Sequence, residues 1–132
     1  MKAFLVDDSP MALEQLGAML FEMGDVEIVG EAGNVQDAEQ GILRSRPDVV
    51  ILDIQIAGGS GVDVLRTVKK ALPSLKVVVL TNHPFFQYRV KCMAWGADYF
   101  LDKHNEYVRI PGIVRQLRWA GERPDSRGED LP

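Results

Sequence analysis

Five short apolar runs alternate with five helix-patterned segments along this chain of 132 residues, and that alternation restricts the fold more than any other feature. The runs are rich in β-branched residues and predict strands. The third and fourth runs lack polar residues at alternate positions, which is typical of strands buried on both faces of a parallel sheet. The predicted strands are 3–6, 26–32, 48–53, 75–81 and 98–101.

Apolar residues recur at helical spacing after each of these runs. The first predicted helix stops at Gly24, the second before Pro47 and the third before Pro73, because glycine and proline end helices. The fourth has Pro84 in its first turn, and the fifth begins near Pro111. Strict alternation of strand and helix predicts an α/β fold, (βα)₅, with a parallel sheet and helices on both faces.

Charge and length exclude several classes of protein. The chain has 15 basic and 19 acidic residues, a net charge of −4, so it lacks the basic field that draws in nucleic acid. No apolar run approaches the ~20 residues that span a bilayer, and one cysteine cannot form an internal disulfide. We therefore expect a cytoplasmic protein that does not contact a membrane. Residues 1–120 are the predicted domain, and the charged segment 121–132 is a predicted flexible tail.

Polar residues stand where the predicted strands end: Asp7 and Asp8 after the first, Asp53 and Thr81 closing the third and fourth, and Lys103 just past the fifth. Sites in open α/β sheets lie outside the carboxyl ends of the strands, so these residues should converge. Three close carboxylates repel one another unless a cation offsets them, and oxygen ligands favour Mg²⁺. Asp53 is the predicted nucleophile, because a carboxylate can form an acyl phosphate whose oxygens Lys103 would bind.

These motifs resemble the receiver domain of two-component response regulators. The resemblance rests on "DD" at 7–8, "VVILDIQIAGGSG", "VVVLTN" and "GADYFLDK", in that order, and covers about residues 3–120. It implies a flavodoxin-like fold with strand order 2-1-3-4-5, and a phosphorylatable signalling switch rather than an enzyme. It also implies Mg²⁺-dependent transfer from a sensor histidine kinase or phosphotransfer domain, followed by slow hydrolysis.

The resemblance assigns roles residue by residue. Asp53 becomes the phosphoacceptor, and Asp8 and Asp53 become Mg²⁺ ligands. Asp7 would act largely through water, and the backbone carbonyl of Gln55 would supply a further ligand. Lys103 would hold the phosphoryl group.

Four further residues receive switching or tuning roles from the same resemblance. Thr81 would move to hydrogen-bond the phosphoryl group, and Phe100, three residues before the lysine, matches the aromatic switch position. Besides Gln55, which also counts among the pocket-tuning residues, Asn82 and His83 lie where the family tunes access to the pocket and attack by water. The last two residues bear on rates more than on the chemistry itself.

The fourth predicted helix is apolar nearly all round, although a surface helix of this fold has a sheet on one side only. We expect one stripe to pack on the sheet: Phe86, Val90, Met93 and Ala97. We expect a second stripe to form a partner surface: Phe85, Tyr88, Cys92 and Trp95. The partner is an unknown downstream protein, with a homodimer through this helix also considered. Alternatively, the fifth helix or a loop covers the second stripe.

Three alternative functions stay open at this stage. We expect a stand-alone regulator or a phosphorelay intermediate. The alternative within the same class is a receiver fragment of a longer regulator. A flavin-binding electron carrier has the same fold, but two anions after the first strand would repel its phosphate. A small phosphoaspartyl hydrolase also uses aspartate and Mg²⁺, although its nucleophile usually follows the first strand.

Overall fold

A computed structural model describes residues 1–122 of the chain; of the predicted tail, 121–132, residues 121–122 belong to the last helix and the remainder lies outside the described residues. Strands and helices alternate throughout. The strands are β1 (Lys2–Val6), β2 (Glu27–Ala32), β3 (Val49–Leu52), β4 (Lys76–Thr81) and β5 (Tyr99–Asp102). The helices are α1 (Pro10–Phe21), α2 (Val35–Ser45), α3 (Gly61–Ala71), α4 (Phe86–Ala94) and α5 (Ile110–Glu122). The predicted (βα)₅ order is confirmed.

All five strands are parallel and lie in the order β2-β1-β3-β4-β5. The chain leaves β1 for one edge of the sheet and returns to β3 on the other side of β1. Consecutive connections therefore run in opposite directions from the β1–β3 pair, which is where open α/β sheets form their sites. None of the helices within residues 1–122 combines the length and the apolar composition that crossing a membrane requires.

Two apolar clusters cover the two faces of the sheet. One contains side chains of α1 and α5, and the other contains side chains of α2, α3 and α4. All four residues of β3 and residues 77–81 of β4 are buried, which explains the absence of alternation in these two runs. Helices pack on both faces of the sheet, as the sequence predicts.

The start of α5 differs slightly from the prediction. A 3₁₀ turn at Tyr107–Arg109, which the sequence pattern did not indicate, precedes the helix. The helix begins at Ile110, so Pro111 occupies its second position, where a proline costs no intrahelical hydrogen bond.

The orientation predicted for α4 is wrong. Phe86, Val90 and Met93 are exposed rather than packed on the sheet, whereas Cys92 is fully buried. Tyr88 is half-buried and packs against the core with Cys92. Cys92 therefore cannot belong to a partner surface. Ala97 is buried as expected, but it lies beyond the end of the helix at Ala94.

Candidate functional site

The acidic residues lie together at the carboxyl ends of the two central strands. Asp7 directly follows β1 and Asp53 directly follows β3, and the Asp53 amide donates to the Val6 carbonyl at 3.0 Å, which continues the pairing of the strands. Oxygens of Asp7, Asp8 and Asp53 lie within 4.8 Å of one another. Asp7 and Asp53 are buried, whereas Asp8 is exposed. The predicted convergence of the three carboxylates agrees with this geometry.

This donor set fits Mg²⁺. The ion prefers oxygen ligands, and it keeps several of its own waters, so two or three carboxylates with one open to solvent suit it. Backbone amides anchor the two buried carboxylates: the Ser9 amide donates to Asp7 Oδ1 and the Gln55 amide donates to Asp53 Oδ1, both at 2.9 Å. Each carboxylate keeps a second oxygen for other partners. The side chain of Gln55 is exposed.

Lys103 joins the two buried carboxylates from the end of β5. Its Nζ donates to Asp7 Oδ2 at 2.5 Å and to Asp53 Oδ2 at 3.5 Å. Burial alone lowers the pKa of Lys103, but the hydrogen bond to Asp7 and the charges of both carboxylates outweigh burial and raise that pKa above its ordinary value. Lys103 is therefore a permanent cation in contact with Asp53, where it can stabilise the charge of an incoming phosphoryl group.

The site changes the ionisation of Asp53. Burial raises the pKa of Asp53, and the neighbouring charge of Asp7 acts in the same direction. The Gln55 amide and Lys103 oppose that change without cancelling it. A perturbed, buried carboxylate beside a fixed cation is typical of a reactive group.

The two predicted switch residues lie on neighbouring strands. Thr81 is fully buried at the end of β4, where its hydroxyl accepts from the His83 amide at 3.0 Å and its carbonyl accepts from the Lys103 amide at 2.8 Å. Phe100 is buried in β5. Arg89 of α4 donates to the Phe100 carbonyl at 3.3 Å and places its guanidinium carbon 5.9 Å from the centre of the ring. Sequence reasoning missed Arg89, because a charged residue on an apolar helix indicates only a solvated position.

The predicted pocket-tuning residues line or border the site. Asn82 is exposed and lines a cavity of about 400 Å³ together with Asp7 and Lys103. His83 is also exposed, and its ring contacts the ring of Phe85 at 5.9 Å between centroids. Asn82 therefore lines the site directly, and His83 is joined to it through its amide, which donates to the Thr81 hydroxyl.

Gly61 fixes the backbone behind the phosphoacceptor, and sequence reasoning did not single it out. The residue opens α3, and its amide donates to the Ile54 carbonyl at 2.8 Å. A Cβ at this position would lie 2.3 Å from the carbonyl oxygen of Asp53 and 2.6 Å from the Ile54 Cα. Backbone atoms cannot move aside as a flexible side chain can, so only glycine fits here. The available signal was a glycine next to the capping Ser60, which accepts from the Val62 amide.

We predict that Gly61→Ala destabilises the domain by about 1–3 kcal/mol through overpacking. Gly112→Ala in α5 is the matched control, because a Cβ there meets nothing within 4 Å and alanine favours a helix by about 1 kcal/mol over glycine. Urea unfolding followed by circular dichroism gives both values. Equal stability of Gly61→Ala and the native chain would show that the loop has room for the extra carbon.

Comparison with known proteins agrees with this architecture. Residues 3–115 match the family described as the response regulator receiver domain. The DNA-binding transcriptional activator DevR/DosR of Mycobacterium tuberculosis is 30% identical over 88% of this chain and 54% of its own length. The sensory transduction protein LytT of Bacillus cereus is 35% identical over 80% of this chain and 43% of its own. The chain thus spans about half the length of the curated relatives it matches.

A solved structure shares the fold over nearly all of both chains. The signal receiver domain of a Luxo repressor protein from Vibrio parahaemolyticus superposes with a TM-score of 0.80 at 28% identity, covering 97% of this chain and 98% of the other. Receiver domains are signalling switches that work through an acidic, Mg²⁺-binding pocket, and the carboxylate cluster found here has the corresponding composition. The matched residues, the strand order and the fold together show that this chain belongs to the receiver domain family of two-component response regulators.

Proposed function

We propose that this chain is a phosphorylatable switch that accepts a phosphoryl group on Asp53 from the phosphohistidine of a sensor kinase or phosphotransfer domain. One observation carries the proposal: Asp53 lies beside Lys103 and two further carboxylates at the carboxyl ends of the central strands. In the transfer, an Asp53 oxygen forms a bond to phosphorus while the bond from phosphorus to the histidine nitrogen breaks. The imidazole leaves with the electron pair.

The other residues bind and orient the reacting groups. Lys103 contacts Asp53 already and moves little to meet a phosphoryl oxygen on it. We assign the metal-binding role to Asp8 and Asp53, with Asp7 acting through water and the Gln55 carbonyl as a further ligand. Bound Mg²⁺ neutralises phosphoryl oxygens and offsets the repulsion among the carboxylates. Slow loss of the phosphoryl group to water then resets the switch.

The direct test is intact-mass spectrometry of the chain after incubation with a small phosphodonor, with Mg²⁺ and with a chelator. We expect one phosphoryl group per chain with Mg²⁺ and none with the chelator. Labelling that ignores the chelator, or that maps to a residue other than Asp53, would contradict the proposal. Beryllofluoride, which mimics a phosphoryl group on a carboxylate, gives a second measure that needs no donor chemistry.

We predict that Mg²⁺ stabilises the fold through Asp8. At a concentration ten times its dissociation constant, an ion that binds only the folded state adds about 1.4 kcal/mol, which raises the Tm of a domain of this size by about 5 °C. Asp8→Asn should abolish this increase, because it removes the exposed carboxylate of the cluster. Asp37→Asn, an exposed aspartate of α2 outside the cluster, is the control and should keep it. An undiminished increase in Asp8→Asn would place the ion elsewhere.

The proposed switch connects Asp53 to α4 through Thr81 and Phe100. In this route, the Thr81 side chain turns toward a phosphoryl oxygen, and the Phe100 ring moves into the space behind Thr81. The contact between Arg89 and the Phe100 carbonyl supports this route, because it connects β5 directly to α4. A change in β5 therefore reaches the surface of α4.

We propose that the output surface is the exposed side of α4, which we name the α4 apolar face, and that a second copy of the chain binds there. Of the predicted partner surface, Phe85 and Trp95 are also exposed but belong to the second stripe, on another side of the helix, and Tyr88 and Cys92 pack on the core. Arg66 of α3 covers one side of the Trp95 ring, with its guanidinium carbon 5.3 Å from the ring centre. Contiguous exposed apolar patches mark interaction sites. The face consists of Phe86, Val90 and Met93, which follow helical spacing on one side of α4.

We predict that Phe86→Ser weakens self-association of the beryllofluoride-loaded chain about tenfold or more, because an anchor at an interface contributes about 1–2 kcal/mol or more. Sedimentation velocity at several protein concentrations measures the effect. Phe21→Ser is the matched control, since Phe21 is equally exposed but lies at the end of α1. A native chain that stays monomeric when loaded would assign the α4 apolar face to a different protein.

A further inference from the structure

A cavity opens beside the phosphoacceptor, on the side of α4. Its volume is about 490 Å³, far more than the roughly 30 Å³ that one water occupies in the liquid. Asp8 lines one side, and residues 54–57, 59, 60 and 62, from the chain that follows Asp53, supply most of the rest. The cavity therefore borders both a carboxylate of the metal-binding cluster and the backbone that holds the nucleophile.

Tyr88 is the wall residue of this cavity that comes from α4. The side chain is half-buried and packs against the apolar cluster that contains Cys92 and Phe100. On its other side, the ring lies 5.8 Å from the ring of Phe85, at an interplanar angle of 44°. Contacts on two sides hold the Tyr88 ring in place, so the width of the cavity depends on the size of this side chain.

We propose that Tyr88 is a specificity-determining residue, whose ring limits the size of the leaving group that can accompany a phosphoryl group to Asp53. This inference rests on the proposed phosphorylation of Asp53. In each transfer, an Asp53 oxygen bonds to phosphorus and the bond from phosphorus to the donor breaks. The leaving group departs with the electron pair, as ammonia from phosphoramidate, after taking up a proton, and as benzoate from benzoyl phosphate. Only the second leaving group is bulky enough to meet the ring.

The expected result is a change in the preference between donors rather than in overall reactivity. In Tyr88→Ala, the ratio of the labelling rate constants for benzoyl phosphate and phosphoramidate should rise about tenfold, the scale on which pockets discriminate between substrates by size. Tyr88→Trp should lower the same ratio. A purely structural role would slow both donors alike, so the ratio separates the two explanations.

Tyr99→Ala is the matched control. Tyr99 is also half-buried, but it packs against the cluster on the opposite face of the sheet, and its hydroxyl contacts Gln116 at 3.3 Å. Loss of its ring should change stability without changing the ratio between donors. Intact-mass spectrometry against time, at saturating Mg²⁺, gives the rate constants for all four chains.

Each outcome decides between the possibilities. Ratios that rise in Tyr88→Ala and fall in Tyr88→Trp support the inference, and equal ratios in all four chains overturn it while leaving the phosphorylation of Asp53 in place. A ratio that changes equally in Tyr99→Ala also overturns it. If Tyr88→Ala does not fold, Tyr88→Trp alone decides. A native chain that neither donor labels overturns the proposed function together with this inference.

Discussion

Replacement of Asp53 by asparagine abolishes phosphoryl labelling: we expect the native chain to gain the mass of one phosphoryl group and the variant to stay at background. The amide has nearly the same shape as the carboxylate, so it can keep the hydrogen bond from the Gln55 amide. The amide lacks the anionic oxygen that attacks phosphorus. Lys103 can still bind a phosphoryl group there, but it cannot supply the missing nucleophile. The measurement is intact-mass spectrometry with two donors, in the presence of Mg²⁺.

The control is Asp37→Asn, which makes the same chemical change outside the cluster and should label normally. Labelling of Asp53→Asn at the native rate, or on Asp7 or Asp8 by peptide mapping, would contradict the assignment. The pH dependence gives an independent check. In the metal-free chain, burial raises the pKa of Asp53, so NMR should show this carboxylate taking up its proton at a higher pH than an ordinary aspartate, and saturating Mg²⁺ should move that titration to lower pH.

Replacement of Lys103 by alanine should slow phosphoryl transfer about 100-fold, the usual effect of removing one group that stabilises developing charge. Lys103 contacts both buried carboxylates, so its loss also leaves Asp7 and Asp53 without their shared cation. Breaking a buried ion pair from one side costs about 3–5 kcal/mol. Mg²⁺ bound to the cluster offsets part of that repulsion, so labelling should be measured with Mg²⁺ and with folding verified by circular dichroism.

Lys69→Ala separates the chemical effect from loss of stability. Lys69 is also largely buried, and its Nζ contacts the Leu75 carbonyl at 2.7 Å and Asp98 at 3.7 Å, away from the carboxylate cluster. We expect this variant to lose stability but to label at the native rate. If Lys103→Ala and Lys69→Ala are slowed to the same extent, Lys103 acts through the fold and not through the phosphoryl group.

The sequence alone was sufficient for the order of strands and helices and for the convergence of the three carboxylates and Lys103. Runs of buried β-branched residues and the glycines and prolines between them are local signals, so every strand boundary was predicted to within one residue. Asp7, Asp53 and Lys103 could be predicted to meet because parallel strands end at the same edge of a sheet. That consequence needs only the strand order, not the packing of side chains.

Only the tertiary structure decided which side of α4 faces the core. The helix carries apolar residues nearly all round, so its periodicity supports two orientations, and the choice depends on what the sheet and α3 can accommodate. Cys92 and Tyr88 fit that space, whereas Phe86, Val90 and Met93 are left exposed. This reverses the predicted orientation.

The need for glycine at position 61 and the double contact of Lys103 were likewise decided by tertiary structure. Both depend on contacts between separate segments of the chain. A Cβ at Gly61 would meet the Asp53 carbonyl. Lys103, which follows β5, contacts Asp7 after β1 and Asp53 after β3. Local propensity describes how a segment folds on its own. Distances of a few ångströms between segments arise only when the whole core is packed, which is why the sequence alone did not determine them.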